Sequence, residues 1–170
     1  MGLAVCLLAP PRSQADSVKT SGDIIQFLIP VSGIAMTMYY DDKQGRMRFY
    51  KAMGTSIVTT WALKLATNQT RPDGRAYSFP SAHTSTAFTG ATFIQKRHGW
   101  KYGSLAYIGA AYVGWTRVDS DAHRVEDVLA GAAIGIISGL VFTTPFEDRD
   151  VSVLPVADSE GVYIQLSAKW

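Results

Sequence analysis

The sequence predicts an all-α fold, a bundle of about five helices carrying a small C-terminal β-hairpin. Three observations predict it. Apolar residues recur at spacings of three and four through the first 143 residues. Capping residues (Asp, Ser, Gly) punctuate those segments at helix-sized intervals. Over residues 162–170 the period changes to two, after a β-prone run at 151–156.

Length and composition set the bounds. With 170 residues, one helical domain over residues 16–150 can bury a sizeable core. The net charge is +2, with 18% charged and 47% hydrophobic residues. Nothing there makes a broad basic surface, so nucleic acid is excluded as a partner. The single cysteine, Cys6, allows no intrachain disulfide.

Residues 1–15 read as a probable signal peptide or apolar leader. An apolar run is broken by Pro10-Pro11, and Ser13-Gln14-Ala15 offers small residues at the positions a signal peptidase reads. A positively charged start is missing. Residues 16–23 are polar, a linker or the start of a helix. Residues 24–40 carry no charge, long enough for a core helix and slightly short for a membrane span. Asp41-Asp42 then caps a helix over 43–67. Its residues Met47, Tyr50, Met53, Ile57, Trp61 and Leu65 fall at helical spacing, which predicts that this face is buried. Residues 68–80 form an ordered loop punctuated by Pro72, Gly74 and Pro80. Ser81 caps a Ser/Thr-rich helix that runs to Arg97 and is closed by Gly99. A small apolar helix covers 101–115. The last, over 122–143, places Gly131, Gly135 and Gly139 on one stripe that permits very close packing. Residues 128–146 are uncharged and form the best transmembrane candidate. In the tail, residues 162–170 alternate apolar and polar, 151–156 is β-prone, and Asp158-Ser159-Glu160-Gly161 between them is a turn signal. A lone hairpin is marginal in water, so it is expected to pack on the bundle or on a second copy, a homo-oligomer.

The candidate chemistry sits at helix ends. His123 and Asp127 are four apart, so a helix lets the carboxylate accept from the imidazole N–H. Arg117 just upstream suits an anion, above all phosphate. Lys64, Arg71 and His83 flank the other helix ends. Each is weak singly: a lysine near a helix C-terminus usually complements the dipole, and an Arg-Pro is usually just a loop.

Together they form a spaced pattern: Lys64, six residues, Arg71-Pro72; Pro80-Ser81-Ala82-His83; Thr116-Arg117, five residues, His123, three residues, Asp127. This pattern resembles the signature of the type 2 phosphatidic acid phosphatase superfamily. That superfamily contains periplasmic acid phosphatases, membrane lipid phosphatases and vanadate-dependent haloperoxidases. The resemblance implies that His123 attacks phosphorus, that Asp127 fixes its tautomer, and that His83 protonates the leaving alcohol. It implies phosphate binding by Lys64, Arg71 and Arg117, with Ser81 and the amides near Ala82 completing the cradle. It implies no cofactor, with vanadate inhibiting as a phosphate mimic. The substrate would be a phosphate ester or phospholipid-type molecule, met in the periplasm or cell envelope by a soluble or membrane-associated protein, or by one integral to the inner membrane.

Physical chemistry agrees with these roles. Phosphoryl transfer asks mainly for positioning and charge on the equatorial oxygens, which two arginines and a lysine supply. The helix start at Ser81 is an anion site. Two departures stand out: the family usually has glycine at Ala82 and serine at Thr116. Its lipid phosphatases have six spans, whereas here the leader replaces the first, and the helices bearing Lys64 and His83 are too polar for exposed spans. Two rival readings are a haloperoxidase, in which His123 holds vanadate, and a catalytically inactive envelope module that binds lipid.

Overall fold

The computed structural model describes residues 12–146, 151–158 and 161–168, with side chains described for residues 17–146. Of the expected leader, residues 1–11 lie outside the described residues, and 12–15 belong to the first helix. Among the described residues the chain forms five helices: α1 (Arg12–Tyr39), α2 (Lys43–Thr67), α3 (Ala82–His98), α4 (Trp100–Asp119) and α5 (Val125–Phe142).

Local chemistry fixes the helix ends. Asp42 caps α2 by accepting from Gly45 N at 2.7 Å, and Asn68 ends it in the left-handed conformation. Ser81 caps α3, and Gly99 closes it at a φ of 82°, which favours glycine. Of the two readings of residues 16–23, a linker or the start of a helix, the structure shows the helix: the stretch lies within α1.

α3 is the axis of the fold. It packs against all four other helices, and these close around it in the order α1, α2, α5, α4. Its interior is small and polar: Thr84, Ser85, Thr89 and Thr92 are buried beside Ala87, Ala91 and Phe93. Their hydroxyls are satisfied locally, as where Thr89 Oγ1 donates to Ser85 O at 2.7 Å, or across helices, as where Thr60 Oγ1 bonds Ser85 Oγ at 2.9 Å. The glycine stripe of α5 faces this axis. A Cβ on Gly131 would sit 2.5 Å from Ser81 O, and one on Gly135 2.5 Å from Ser85 O, so only glycine permits the approach.

The outside is apolar. Large hydrophobic side chains are exposed on α1 (Phe27, Leu28, Val31), α2 (Met47, Val58, Leu65), α4 (Leu105, Ile108) and α5 (Leu129, Ile137, Val141). This corrects the expected face of α2. Met47, Tyr50, Ile57, Trp61 and Leu65 point outward, 41–62% exposed. The face buried against the bundle is instead Gly45, Phe49, Ala52, Ser56, Thr60 and Lys64. The helical period is right and the side is reversed: the large apolar side chains of α2 face outward, and its small and polar ones face α3 and α5. α1 and α5 are each long and apolar enough to cross a membrane, over Ser17–Tyr39 and Val125–Phe142.

The C-terminal expectation also needs correcting. The segments β1 (Val151–Asp158) and β2 (Gly161–Ala168) pair antiparallel, with Val151 opposite Ala168 and Asp158 opposite Gly161. Neither touches a helix. The folded body is all-helical, five helices with no strand in it, and no hairpin packs upon it. The β-prone tail signals pairing between its own two segments and does not specify a face on the helices.

The end opposite the catalytic candidates is closed by a buried ion pair. Arg97 donates from Nε and Nη2 to the two oxygens of Asp42, each at 2.7 Å. Its Nη1 donates to Thr144 O and Pro145 O, so one guanidinium ties the α1–α2 turn to the segment after α5.

Candidate active site

The helix ends nearest Ser81 converge on one polar pocket of about 210 Å³. Arg71, His83, Arg117 and His123 line it together with Lys19, Asp23, Arg75 and Ala122. Four of the eight residues singled out from the sequence therefore meet in one place.

His123 sits in the turn between α4 and α5, and its backbone N–H bonds Arg117 O at 3.0 Å. Its side chain is 2% exposed. Its Nδ1 lies 3.3 Å from Asp127 Oδ2. A carboxylate can only accept, so Nδ1 carries the proton and Nε2 carries the lone pair. Nε2 is buried and has no partner within the protein. Burial first, and then the nearby Arg71 and Lys64 cations, lower the His123 pKa from its ordinary value to about 4. The ring is neutral at physiological pH, with an unengaged nitrogen in a cationic pocket.

Asp127 is fully buried. Its Oδ2 also accepts from Arg124 N at 3.0 Å and from the Ser78 hydroxyl. Its carbonyl accepts from Ser81 N at 2.9 Å, which ties the start of α3 to the first turn of α5. One residue thus orients the imidazole and locks two helix starts together.

Arg117 is 2% exposed, and its guanidinium is held on three sides. Nη1 meets Asp23 Oδ1 at 2.6 Å, Nη2 meets Lys19 O at 2.8 Å, and Nε meets Thr116 Oγ1 at 3.2 Å. Thr116 keeps the hydroxyl of the usual serine, and that hydroxyl seats the arginine. Arg71 reaches the pocket from the loop, and its Nε is buried without a partner. Burial is the main cause that lowers its pKa, followed by the neighbouring Arg75 cation.

Lys64, Ser81, Ala82 and Asp127 are not in the pocket lining. Lys64 Nζ donates to the carbonyls of Tyr77 and Ser78 at 2.7 and 3.2 Å, so it pins the loop that carries the Ser78 hydroxyl to Asp127. Ser81 Oγ is used as the α3 cap, accepting from Thr84 Oγ1 at 3.0 Å. The Ala82 side chain belongs to a neighbouring apolar groove, so its methyl does not fill the phosphate pocket where glycine is usual.

Three contributors are missed by the sequence pattern: Asp23, Gly22 and Ser78. Asp23 and Gly22 lie in the polar stretch read as a linker or the start of a helix, and only a helix there aims them at Arg117. Ser78 carries no motif spacing at all. Among the described residues no group of three His, Cys, Asp or Glu side chains is placed to hold a metal ion.

A family model described as the PAP2 superfamily matches residues 73–150, which include His83, Arg117, His123 and Asp127. Residues 73–150 of the chain thus match the PAP2 superfamily. Lys64 and Arg71 lie upstream of the matched residues. A lipid A 1-phosphatase of Porphyromonas gingivalis is 33% identical over 74% of this chain. The chain spans 31% of that relative's length. A lipid A 4′-phosphatase of Helicobacter pylori is 25% identical, with 89% of this chain and 82% of the relative covered. Two crystal structures share the fold. Aquifex aeolicus LpxE matches with a TM-score of 0.63 and 21% identity, covering 82% of this chain and 98% of that one. A transmembrane PAP2 type phosphatidylglycerolphosphate phosphatase from Bacillus subtilis matches with a TM-score of 0.62 and 25% identity, covering 82% and 78%.

Proposed function

We propose that this PAP2 chain is a phosphatase that hydrolyses lipid-linked phosphomonoesters at a membrane surface, through a phosphohistidine on His123 and without a metal ion. The observation that carries the reading is His123 itself: its Nε2 is buried and unengaged, its Nδ1 is held by Asp127, and it faces a pocket with Arg71 and Arg117.

The chemistry runs in two steps. The Nε2 lone pair attacks phosphorus and forms a P–N bond. The P–O bond to the alcohol breaks, its electron pair stays on that oxygen, and His83 supplies the proton. Asp127 accepts the Nδ1 proton's hydrogen bond throughout and balances the charge that develops on the ring. Water then attacks the phosphohistidine and gives a proton back to His83. The P–N electron pair returns to Nε2, and inorganic phosphate leaves. Arg71 and Arg117 stabilise the equatorial oxygens in both steps.

The lipid part of the reading rests on the apolar groove beside the pocket. It measures about 360 Å³ and is lined by Phe27, Pro30, Val31, Ile34, Phe49 and Met53. His83 belongs to both cavities, so a phosphate in one leaves its lipid substituent facing the other. The apolar exterior places both in reach of a bilayer. The names of the relatives support lipid A as the type of substrate, and the periplasmic side as the place of reaction is part of the same proposal.

Phosphate release from lipid A in detergent micelles with EDTA present tests this. Wild-type protein should turn over and His123→Ala should not. Turnover abolished by EDTA, or retained by His123→Ala, would contradict it.

A further inference from the structure

α1 brings a second carboxylate to the pocket. Asp23 Oδ1 lies 3.2 Å from His83 Nε2 and 2.6 Å from Arg117 Nη1. The approach is built into the helix. A Cβ on Gly22 would lie 2.1 Å from Thr116 Oγ1 and 2.7 Å from Arg117 Nη2, so a side chain there would push α1 away. One turn earlier, Lys19 O accepts from Arg117 Nη2. Lys19, Gly22 and Asp23 are three and four apart and share one helix face, shaped to Arg117 and His83.

The charges around His83 show what the carboxylate is for. Arg117 faces it from α4, Lys64 from α2, Arg71 from the loop and Asp23 from α1. Lys19, Arg75 and His123 complete the pocket wall. Among these groups Asp23 is the anion. A general acid must hold its proton until the P–O bond breaks, and burial first, then the cations, oppose an imidazolium there.

We infer that Asp23 is the positioning residue of the general acid, forming with His83 a second imidazole–carboxylate pair beside His123–Asp127. The inference rests on the proposed phosphohistidine reaction. Asp23 holds the Nε2 proton of the His83 imidazolium. The Nδ1 proton passes to the ester oxygen as that oxygen takes the P–O electron pair and His123 forms its P–N bond. In the hydrolytic step the attacking water returns a proton to Nδ1.

The test compares two esters on the full chain in detergent micelles. p-Nitrophenyl phosphate releases a stable anion that needs little protonation. Dodecyl phosphate releases an alkoxide that must be protonated. Asp23→Asn should lower kcat for dodecyl phosphate by about 10²-fold and for p-nitrophenyl phosphate only a few-fold. The basic limb of its kcat–pH profile should move to lower pH, and Asp23→Glu should recover most of the loss. His83→Ala should show the same selectivity, and adding Asp23→Asn to it should cost little more. Equal losses on both esters would mean a purely structural role and would overturn the inference. So would no loss, or a gain in kcat/KM with tighter vanadate inhibition, since the carboxylate would then be a competitor for Arg117. An inert wild type, or an active His123→Ala, would instead remove the phosphohistidine reading and this inference with it.

Discussion

At the residue scale, the site works by giving chemically similar groups different surroundings. His123 has a buried carboxylate behind it and cations in front. Its pKa of about 4 is set by burial first and by Arg71 and Lys64 next. The sign for activity follows directly. In the proposed reaction the proton and phosphorus compete for the Nε2 lone pair, so protonating the ring would remove the nucleophile. Once the substrate's own ionisation is corrected for, the acid limb that His123 sets on kcat/KM should lie near pH 4. An acid limb near 6.5, the ordinary imidazole value, would show that the pocket does not perturb the ring as described. Asp127→Asn keeps the shape but offers an amide to Nδ1, which favours the wrong tautomer. It should lower kcat by about 10²- to 10⁴-fold with little change in KM, measured on p-nitrophenyl phosphate. His123, Asp127, Arg117, Arg71 and His83 are legible in the sequence because phosphoryl chemistry demands their types at fixed helix ends. Asp23 is not legible. A carboxylate in a polar stretch looks like solvated surface until the helix that carries it is known to run back to Arg12.

At the scale of elements, α3 and α5 decide where the site is held. The α5 stripe lets Gly131 lie against Ser81 O, at the turn where α3 begins and Asp127 accepts from Ser81 N. Gly131→Val would force these helix starts apart. It should destabilise the protein by about 1–3 kcal/mol and lower kcat in parallel, read by thermal unfolding in detergent and by turnover. Gly54→Ala is the contrasting change. Nothing lies within 4 Å of a Cβ there, so helix propensity alone should stabilise by about 0.5–1 kcal/mol with activity unchanged. If both variants melt like the wild type, close packing on α5 is not what holds the site. The glycine stripe, the Asp42 and Ser81 caps and the 43–67 helix are all readable from sequence, because they depend on backbone sterics and short-range hydrogen bonds. The buried face of α2 is not. Met47, Tyr50, Ile57, Trp61 and Leu65 have helical period, but period does not say which medium lies outside.

At the scale of the whole molecule, hydropathy is turned outward. Thr, Ser, Gly and Ala form much of the axis, while Phe, Leu, Ile, Met and Trp face outward. In water that arrangement would leave a large apolar surface exposed, far beyond the few hundred Å² ordinary for a soluble monomer. In a bilayer it costs nothing, and small residues at helix contacts are what close packing there requires. When the full chain is expressed in bacteria, it should stay in the membrane pellet through high-salt and alkaline carbonate washes. Release into the soluble fraction would contradict a membrane-embedded bundle. The all-helical class follows from sequence period alone. The packing of the tail does not, since two β-prone runs around a turn signal specify pairing with each other and say nothing about a docking face.

The central claim is that His123 carries the phosphate between the two steps. The most direct measurement is a single turnover of a lipid phosphate with EDTA present, quenched in alkali, where phosphohistidine survives, followed by peptide mapping. The phosphoryl group should appear transiently on the peptide containing His123, appear as fast as the alcohol is released, and be absent from His123→Ala. Full turnover with no phosphorylated His123 at any time, from an enzyme whose His123→Ala variant still releases phosphate, would contradict the account.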